Sequence, residues 1–140
     1  LAFHLFQYVD FDLGGSNLGD TIQLSQNLSG LFDAAYQNKG TAFFADELVS
    51  PGANHGQAGI WPSIYNSLTD NSPTTLTDNP GPATGDASWA FQRDVNIPVG
   101  GSFSIALNKS VYLTLIPEPT SLALGMVGLA GLAIKRRRKI

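Results

Sequence analysis

Ser88-Trp89-Ala90-Phe91-Gln92-Arg93-Asp94-Val95-Asn96-Ile97 alternates with a period of two. Trp89, Phe91, Arg93, Val95 and Ile97 fall on one side, and Ser88, Ala90, Gln92, Asp94 and Asn96 on the other. Successive side chains of a strand point to opposite faces, so this is the pattern of a strand with one face in a core. Its aromatic and β-branched residues suit that surface.

The same reading extends in both directions. Pro98-Val99-Gly100-Gly101 marks a turn, and residues 102–107 alternate again, with Phe103, Ile105 and Leu107 on one face. Asn108-Lys109 reads as a tight turn, and residues 110–116 as a last strand. Upstream, residues 2–12 alternate loosely, with Phe3, Leu5, Val9 and Phe11 on one face and His4, Gln7 and Asp10 near the other. Gly14-Gly15-Ser16-Asn17 and Gly19-Asp20 are turn signals, and residues 21–24, 31–36 and 41–45 read as short strands. Asn38-Lys39-Gly40 turns the chain between the last two. Residues 50–59, with Pro51, Gly52, Asn54, Gly56 and Gly59, read as a loop. Ile60, Ile64, Tyr65 and Leu68 recur at helical spacing behind Pro62, which predicts one short helix over 60–68. Residues 70–86 form a second loop, because Asn79-Pro80-Gly81-Pro82 cannot sit in an interior strand. Short alternating strands separated by turns predict a mainly β body, an antiparallel, jelly-roll-like β-sandwich. Residues 1–116 are enough for one domain with a modest core.

The body offers little chemistry. There is no cysteine, hence no disulfide, thiolate ligand or thiol nucleophile. His4 and His55 are the two histidines, and they form neither a His-x-His nor a His-Glu-x-x-His pattern. Gly-x-Ser-x-Gly is absent. Asp46 and Glu47 are adjacent, so a strand would send them to opposite faces. Asp10-Phe11-Asp12-Leu13-Gly14-Gly15 has the alternating aspartates and sixth-position glycine of a calcium loop. It lacks an oxygen ligand at position five, where Gly14 stands, and has Thr21 at position twelve. A strand end with a Gly-Gly turn accounts for it better. Trp61, Trp89, Tyr8, Tyr65 and Tyr112 are candidates for a sugar-stacking platform, Trp89 reading as core and Trp61 as surface. No catalytic, cofactor or metal residue is assigned, and the body is expected to be non-catalytic.

Charge divides the chain. Ten acids stand against three bases before Pro117, and one acid against five bases from Pro117 onward. An acidic body repels nucleic acid, so no nucleic-acid partner is expected. The final stretch has three parts in order: Pro117-Glu118-Pro119, an uncharged apolar run over 120–134, and the cations Lys135, Arg136, Arg137, Arg138 and Lys139. In hydrocarbon a helix satisfies every backbone group within one segment. Pro119 suits its start, and Thr120 or Ser121 can cap the first turn. At ~1.5 Å per residue the run reaches about 22 Å, short of a ~30 Å hydrocarbon core. It is expected to span as a single transmembrane helix only where the bilayer thins or the flanking cations snorkel. The basic cluster places the C-terminus in the cytoplasm. This is a marginal anchor, suited to a transient stop in the inner membrane.

Together, Pro117-Glu118-Pro119, the apolar run and the basic cluster resemble the PEP-CTERM sorting signal of exported Gram-negative bacterial proteins, a C-terminal signature shared with some ice-binding proteins. The resemblance implies recognition by an exosortase, a membrane-embedded cysteine transpeptidase, and cleavage near the motif. It implies delivery to the cell surface or an extracellular polysaccharide matrix. An export signal is then expected upstream of Leu1. The body resembles, less specifically, domains seen ahead of such tails. The likeness rests on residues 6–15, Asn66-Ser67-Leu68-Thr69-Asp70, residues 85–94 and Pro98-Val99-Gly100-Gly101-Ser102-Phe103, with Arg93 where the resemblance implies an aromatic. Two functions are in view: a non-catalytic exported surface or matrix protein, or a secreted carbohydrate-binding or glycan-active module with the same address.

Overall fold

A computed structural model describes residues 1–114. They form two antiparallel sheets and one helix. The strands are β1 (Ala2–Asp10), β2 (Asp20–Gln26), β3 (Phe32–Lys39), β4 (Phe43–Ala53), β5 (His55–Ile60), β6 (Ala83–Gly85), β7 (Ala87–Asn96) and β8 (Ala106–Leu113), with helix α1 (Ser63–Thr69) between β5 and β6. One sheet has the order β1-β7-β5 and the other β6-β2-β3-β4-β8.

The core lies between the sheets. Val9 from β1, Ala87, Trp89 and Phe91 from β7, and Ala58 from β5 pack against Ile22, Leu24, Phe32, Ala35, Val49 and Ala53 from the larger sheet. Trp89 is fully buried, as its place on the alternating face predicts. The alternation of β7 is nevertheless hidden in three dimensions, because Ser88, Ala90 and Gln92 are buried as well. A second cluster, Ile64 of α1, Leu76 and Ala90, with Phe6, Tyr8 and Leu68, covers the outer face of the smaller sheet. β7 is therefore the central strand of a sheet lined on both faces, and even its polar residues are enclosed.

Several expectations are corrected, among them the loop over residues 70–86, which contains β6, paired with β2. Residues 50–59 are not a loop: β4 continues to Ala53 and β5 begins at His55. The glycines there serve packing. A Cβ on Gly56 would lie 2.6 Å from the Phe32 ring, and one on Gly52 2.8 Å from Leu31 Cβ. Pro51 is tolerated because the β3–β4 register shifts between Phe32 and Ala34, leaving the strand irregular where Pro51 sits. Likewise Asn108-Lys109 is no turn, and residues 102–105 form no strand. β8 runs through both residues, pairing Asn108 with Leu48 and Lys109 with Glu47. Residues 97–105 instead carry the chain from the smaller sheet to the far edge of the larger one. The transmembrane helix expected over 120–134 and the domain boundary at 116 lie outside the described residues. Among the described residues no helix is long and apolar enough to cross a membrane.

The segment around Asn79-Pro80-Gly81 straps one side of the sandwich. Leu24 N donates to Pro80 O at 2.7 Å, and Ala58 N to Asn79 O at 2.7 Å, so the strap bonds to both sheets. Gly81 has φ +92°, and a Cβ there would meet Ile22 O at 2.7 Å. β8, at the far edge of the larger sheet, is exposed along its length.

Gly56→Ala is expected to destabilise the protein by about 1–3 kcal/mol, because the methyl group has no room over Phe32. Chemical denaturation of the two proteins measures it. An unchanged midpoint would show that the sheets separate there at no cost.

Candidate functional site

The described surface carries three clusters of functional groups, and the C-terminal segment follows directly from β8. The first cluster crosses the outer face of the smaller sheet. Register places His4 of β1 opposite Asp94 of β7, and His55 of β5 opposite Gln92. His4 Nδ1 lies 2.6 Å from Asp94 Oδ1. His55 Nε2 lies 3.5 Å from Asp94 Oδ2, and its Nδ1 lies 3.0 Å from Asp78 Oδ2. Gln92 Nε2 donates to Asp94 Oδ1 at 2.8 Å. Both histidines, far apart in sequence, thus share one carboxylate. The Gln92 and His4 hydrogen bonds hold the Asp94 carboxyl below its ordinary range. Each imidazole thus faces an aspartate carboxylate.

The second cluster sits at the end of the smaller sheet. Asp10, Asp12 and Asp86 bring carboxylate oxygens within 4.8 Å of one another. Tyr8 Oη donates to Asp10 Oδ2 at 3.2 Å, and Asn17 Nδ2 to Asp86 Oδ2 at 3.3 Å. Burial raises the Asp10 carboxyl above its ordinary value, and the charges of Asp86, Asp12 and Asp20 add to the rise. The turn holding Asp12 is latched from below. Leu13 N and Gln37 Nε2 both donate to Asp20 Oδ2, Gln37 Nε2 also donates to Phe11 O at 2.7 Å, and Lys39 Nζ donates to Ser16 O at 2.7 Å.

The third is aromatic, and the proposed platform divides. Trp89 is core, Tyr8 packs on Tyr65 with ring centroids 6.2 Å apart, and Trp61 is half exposed beside α1. Tyr112 lies on the larger sheet instead. There Phe44 and Tyr112 are paired across β4 and β8 and stack at 5.5 Å with an interplanar angle of 11°. Tyr36 is exposed on the same outer face, two residues along β3 from Asn38, the partner of Phe44.

Asp46 and Glu47 do point to opposite faces. Asp46 is half-buried on the outer face, whereas Glu47 is fully buried between the sheets. Glu47 accepts hydrogen bonds from Gln7 Nε2 and, at 3.2 Å, from Trp89 Nε1, and Lys109 Nζ stands 3.6 Å away. Buried Arg93 reaches Pro51 O with Nε and Nη2 at 3.4 Å each. Burial lowers the Arg93 pKa, and the nearby Glu47 charge offsets part of that.

Pro117, Glu118, Pro119, Lys135, Arg136, Arg137, Arg138 and Lys139 lie outside the described residues. Their root is described. Thr114 N donates to Ala42 O at 2.8 Å and Thr114 Oγ1 to Thr41 O at 2.6 Å, latching the chain just before the terminal segment. Sequence reasoning found the tail but missed the partnership of Asp94 with both histidines, the third carboxylate Asp86, and the Phe44–Tyr112 pair. Each depends on strand register between distant segments and has no local signal.

Comparison with known proteins bears on the terminal segment. Residues 115–139 match the family described as the PEP-CTERM protein-sorting motif. No curated protein matches the chain. No solved structure matches it.

Asp94→Asn tests the first cluster. A depressed carboxyl contributes stability above its unfolded value, and that contribution is lost as pH falls through the folded value. The wild type is therefore expected to melt above Asp94→Asn at about pH 5, with the gap closing below the ordinary value of 3.8. Paired thermal melts across that range measure it, and a gap that does not change with pH would remove the carboxylate as its source.

Proposed function

We propose that the chain is a non-catalytic exported surface or matrix protein, sorted and cleaved by an exosortase at its C-terminal PEP-CTERM motif. The match over residues 115–139 carries this reading. The motif implies exosortase recognition and export to the cell surface. Pro117-Glu118-Pro119 is the recognition motif, and the apolar run 120–134 gives a transient hold in the inner membrane. Lys135, Arg136, Arg137, Arg138 and Lys139 keep the C-terminal end cytoplasmic, by the preference of basic clusters for that side. A run this short makes a marginal anchor, which suits a segment that is removed. Two antiparallel sheets around a shared core support a jelly-roll-like sandwich as the cargo, and its acidic surface suits an extracellular setting.

The intact mass of the surface-associated protein tests the proposal. Wild-type protein is expected to end near Pro117–Pro119. Protein with all three motif residues replaced by alanine, or from cells lacking the transpeptidase, is expected to keep its mass through Ile140. A tail retained in every case would leave a plain membrane anchor as the account.

A second reading, a carbohydrate-binding module with the same address, is favoured by one observation. The outer face of the larger sheet presents Tyr36 and the stacked Phe44–Tyr112 pair beside Asn38 and Asp46. Sugar C–H groups stack on such rings, and neighbouring polar groups take the hydroxyls. If so, Tyr36→Ala with Tyr112→Ala reduces retention on extracellular polysaccharide in affinity electrophoresis by about tenfold, a loss of roughly 1.4 kcal/mol. Equal mobility of the two proteins would remove this reading.

A further inference from the structure

The outer face of the larger sheet carries a carboxylate among its rings. Strand register sets Asp46 of β4 between Tyr36 of β3 and Ser110 of β8. One step along the same face, Phe44 stands between Asn38 and Tyr112. Directly opposed side chains of an antiparallel pair lie ~5 Å apart, and diagonal neighbours ~7–8 Å. Asp46 is therefore bracketed by Tyr36 and Tyr112, which are 49% and 48% exposed. Asp46 itself is half-buried. Among the described residues no lysine, arginine or histidine forms an ion pair with it. The other five residues of these two rows are uncharged. Lys109, next to Ser110 in β8, projects on the opposite side of the sheet, where its Nζ stands 3.6 Å from Glu47 Oε1. The rest of the body adds negative charge, with ten acids against three bases before Pro117. A carboxylate set among aromatic faces is the chemistry that receives a cation carried on an apolar ring.

We propose that this face binds polysaccharide whose sugars carry free amino groups, a hexosamine polymer with unacetylated amines, in preference to neutral or acidic glycans. The inference rests on the carbohydrate-binding reading above and adds the class of sugar. Tyr36 and the Phe44–Tyr112 stack take the C–H faces of neighbouring sugars. An ammonium on one of those sugars meets the Asp46 carboxylate in a charge-assisted hydrogen bond. The π-face of the adjoining ring attracts the same cation. Asn38 and Ser110 are placed to take hydroxyls on either side. A neutral sugar offers Asp46 only a hydroxyl, which is a weaker partner than an ammonium. An N-acetyl group removes the charge. A uronic acid polymer brings like charge against Asp46 and against the acidic body as a whole.

Calorimetric titration of the full chain tests this with β-1,4-linked oligosaccharides of equal length, built from glucosamine, from N-acetylglucosamine or from glucose. The pH is mildly acidic, so that the free amine is charged. The glucosamine oligosaccharide is expected to bind about tenfold more tightly than the other two, and sodium chloride to narrow that margin. Asp46→Asn should abolish the margin. Asp12→Asn, which removes the same charge in the turn after β1, should leave it intact. Tyr36→Ala with Tyr112→Ala should weaken the binding of every sugar. Equal affinity for all of them, or a margin retained in Asp46→Asn, would overturn the amine preference and leave the carbohydrate reading standing. A margin lost to the same extent in Asp12→Asn would assign it to diffuse charge and overturn the proposal as well. Binding to none of the sugars would remove both readings.

Discussion

A carboxylate buried between two sheets is the constraint around which the body is arranged. Glu47 belongs to the larger sheet, yet two of its hydrogen-bond donors, Gln7 and Trp89, belong to the smaller one. An ionised group without water is tolerated only when its oxygens are occupied and its charge is balanced. The donors occupy the oxygens, and Lys109 and Arg93 supply the balancing charge. Those partners come from β1, β7 and β8, so the position of one side chain ties together strands from both sheets. An apolar core tolerates some sliding of one face over another, whereas a buried charge with directional partners does not.

The sheets differ in width, and this shapes the surface. Three strands cannot cover five. On one side the Asn79–Gly81 strap bonds to β2 and β5 and closes the gap. On the other, β8 is left with every residue exposed, although Leu107, Lys109 and Val111 share the inward face with Glu47 and Val49. The segment that carries the sorting motif follows this edge strand, with Thr114 bonded back to the β3–β4 connection. The terminal segment is thus rooted at the edge strand of the larger sheet. The histidine pair lies on the smaller sheet, whereas the turn after Asp12 packs against Phe43, the strand partner of Leu113 at that root.

Most strands were legible because their alternation is local. β1, β2, β3 and β7 coincide with the predicted segments to within a few residues, and α1 begins just behind Pro62 as expected. The failures share a cause. Gly52, Gly56, Pro51 and the Asn108-Lys109 pair are residues that punctuate turns, and read locally they signal breaks. In the folded protein Gly56 is small because Phe32 lies against it, Pro51 sits where the register slips, and Asn108-Lys109 is held straight by pairing with β4. The burial of Ser88 and Gln92 was equally invisible, since it depends on α1 and Leu76 folding back over β7.

By itself the sequence determined a mainly β, cysteine-free, acidic body with an appended tail of motif, apolar run and cations. These are properties of residue type and short-range order, which need no partner to be read. Only the tertiary structure decided which strands are neighbours. With that came Glu47 in the core, Asp94 between two histidines, and Asp86 beside Asp10 and Asp12. The reason is geometric: strand pairing joins residues forty to ninety positions apart, and a shift of one residue would send each of these side chains to the opposite face.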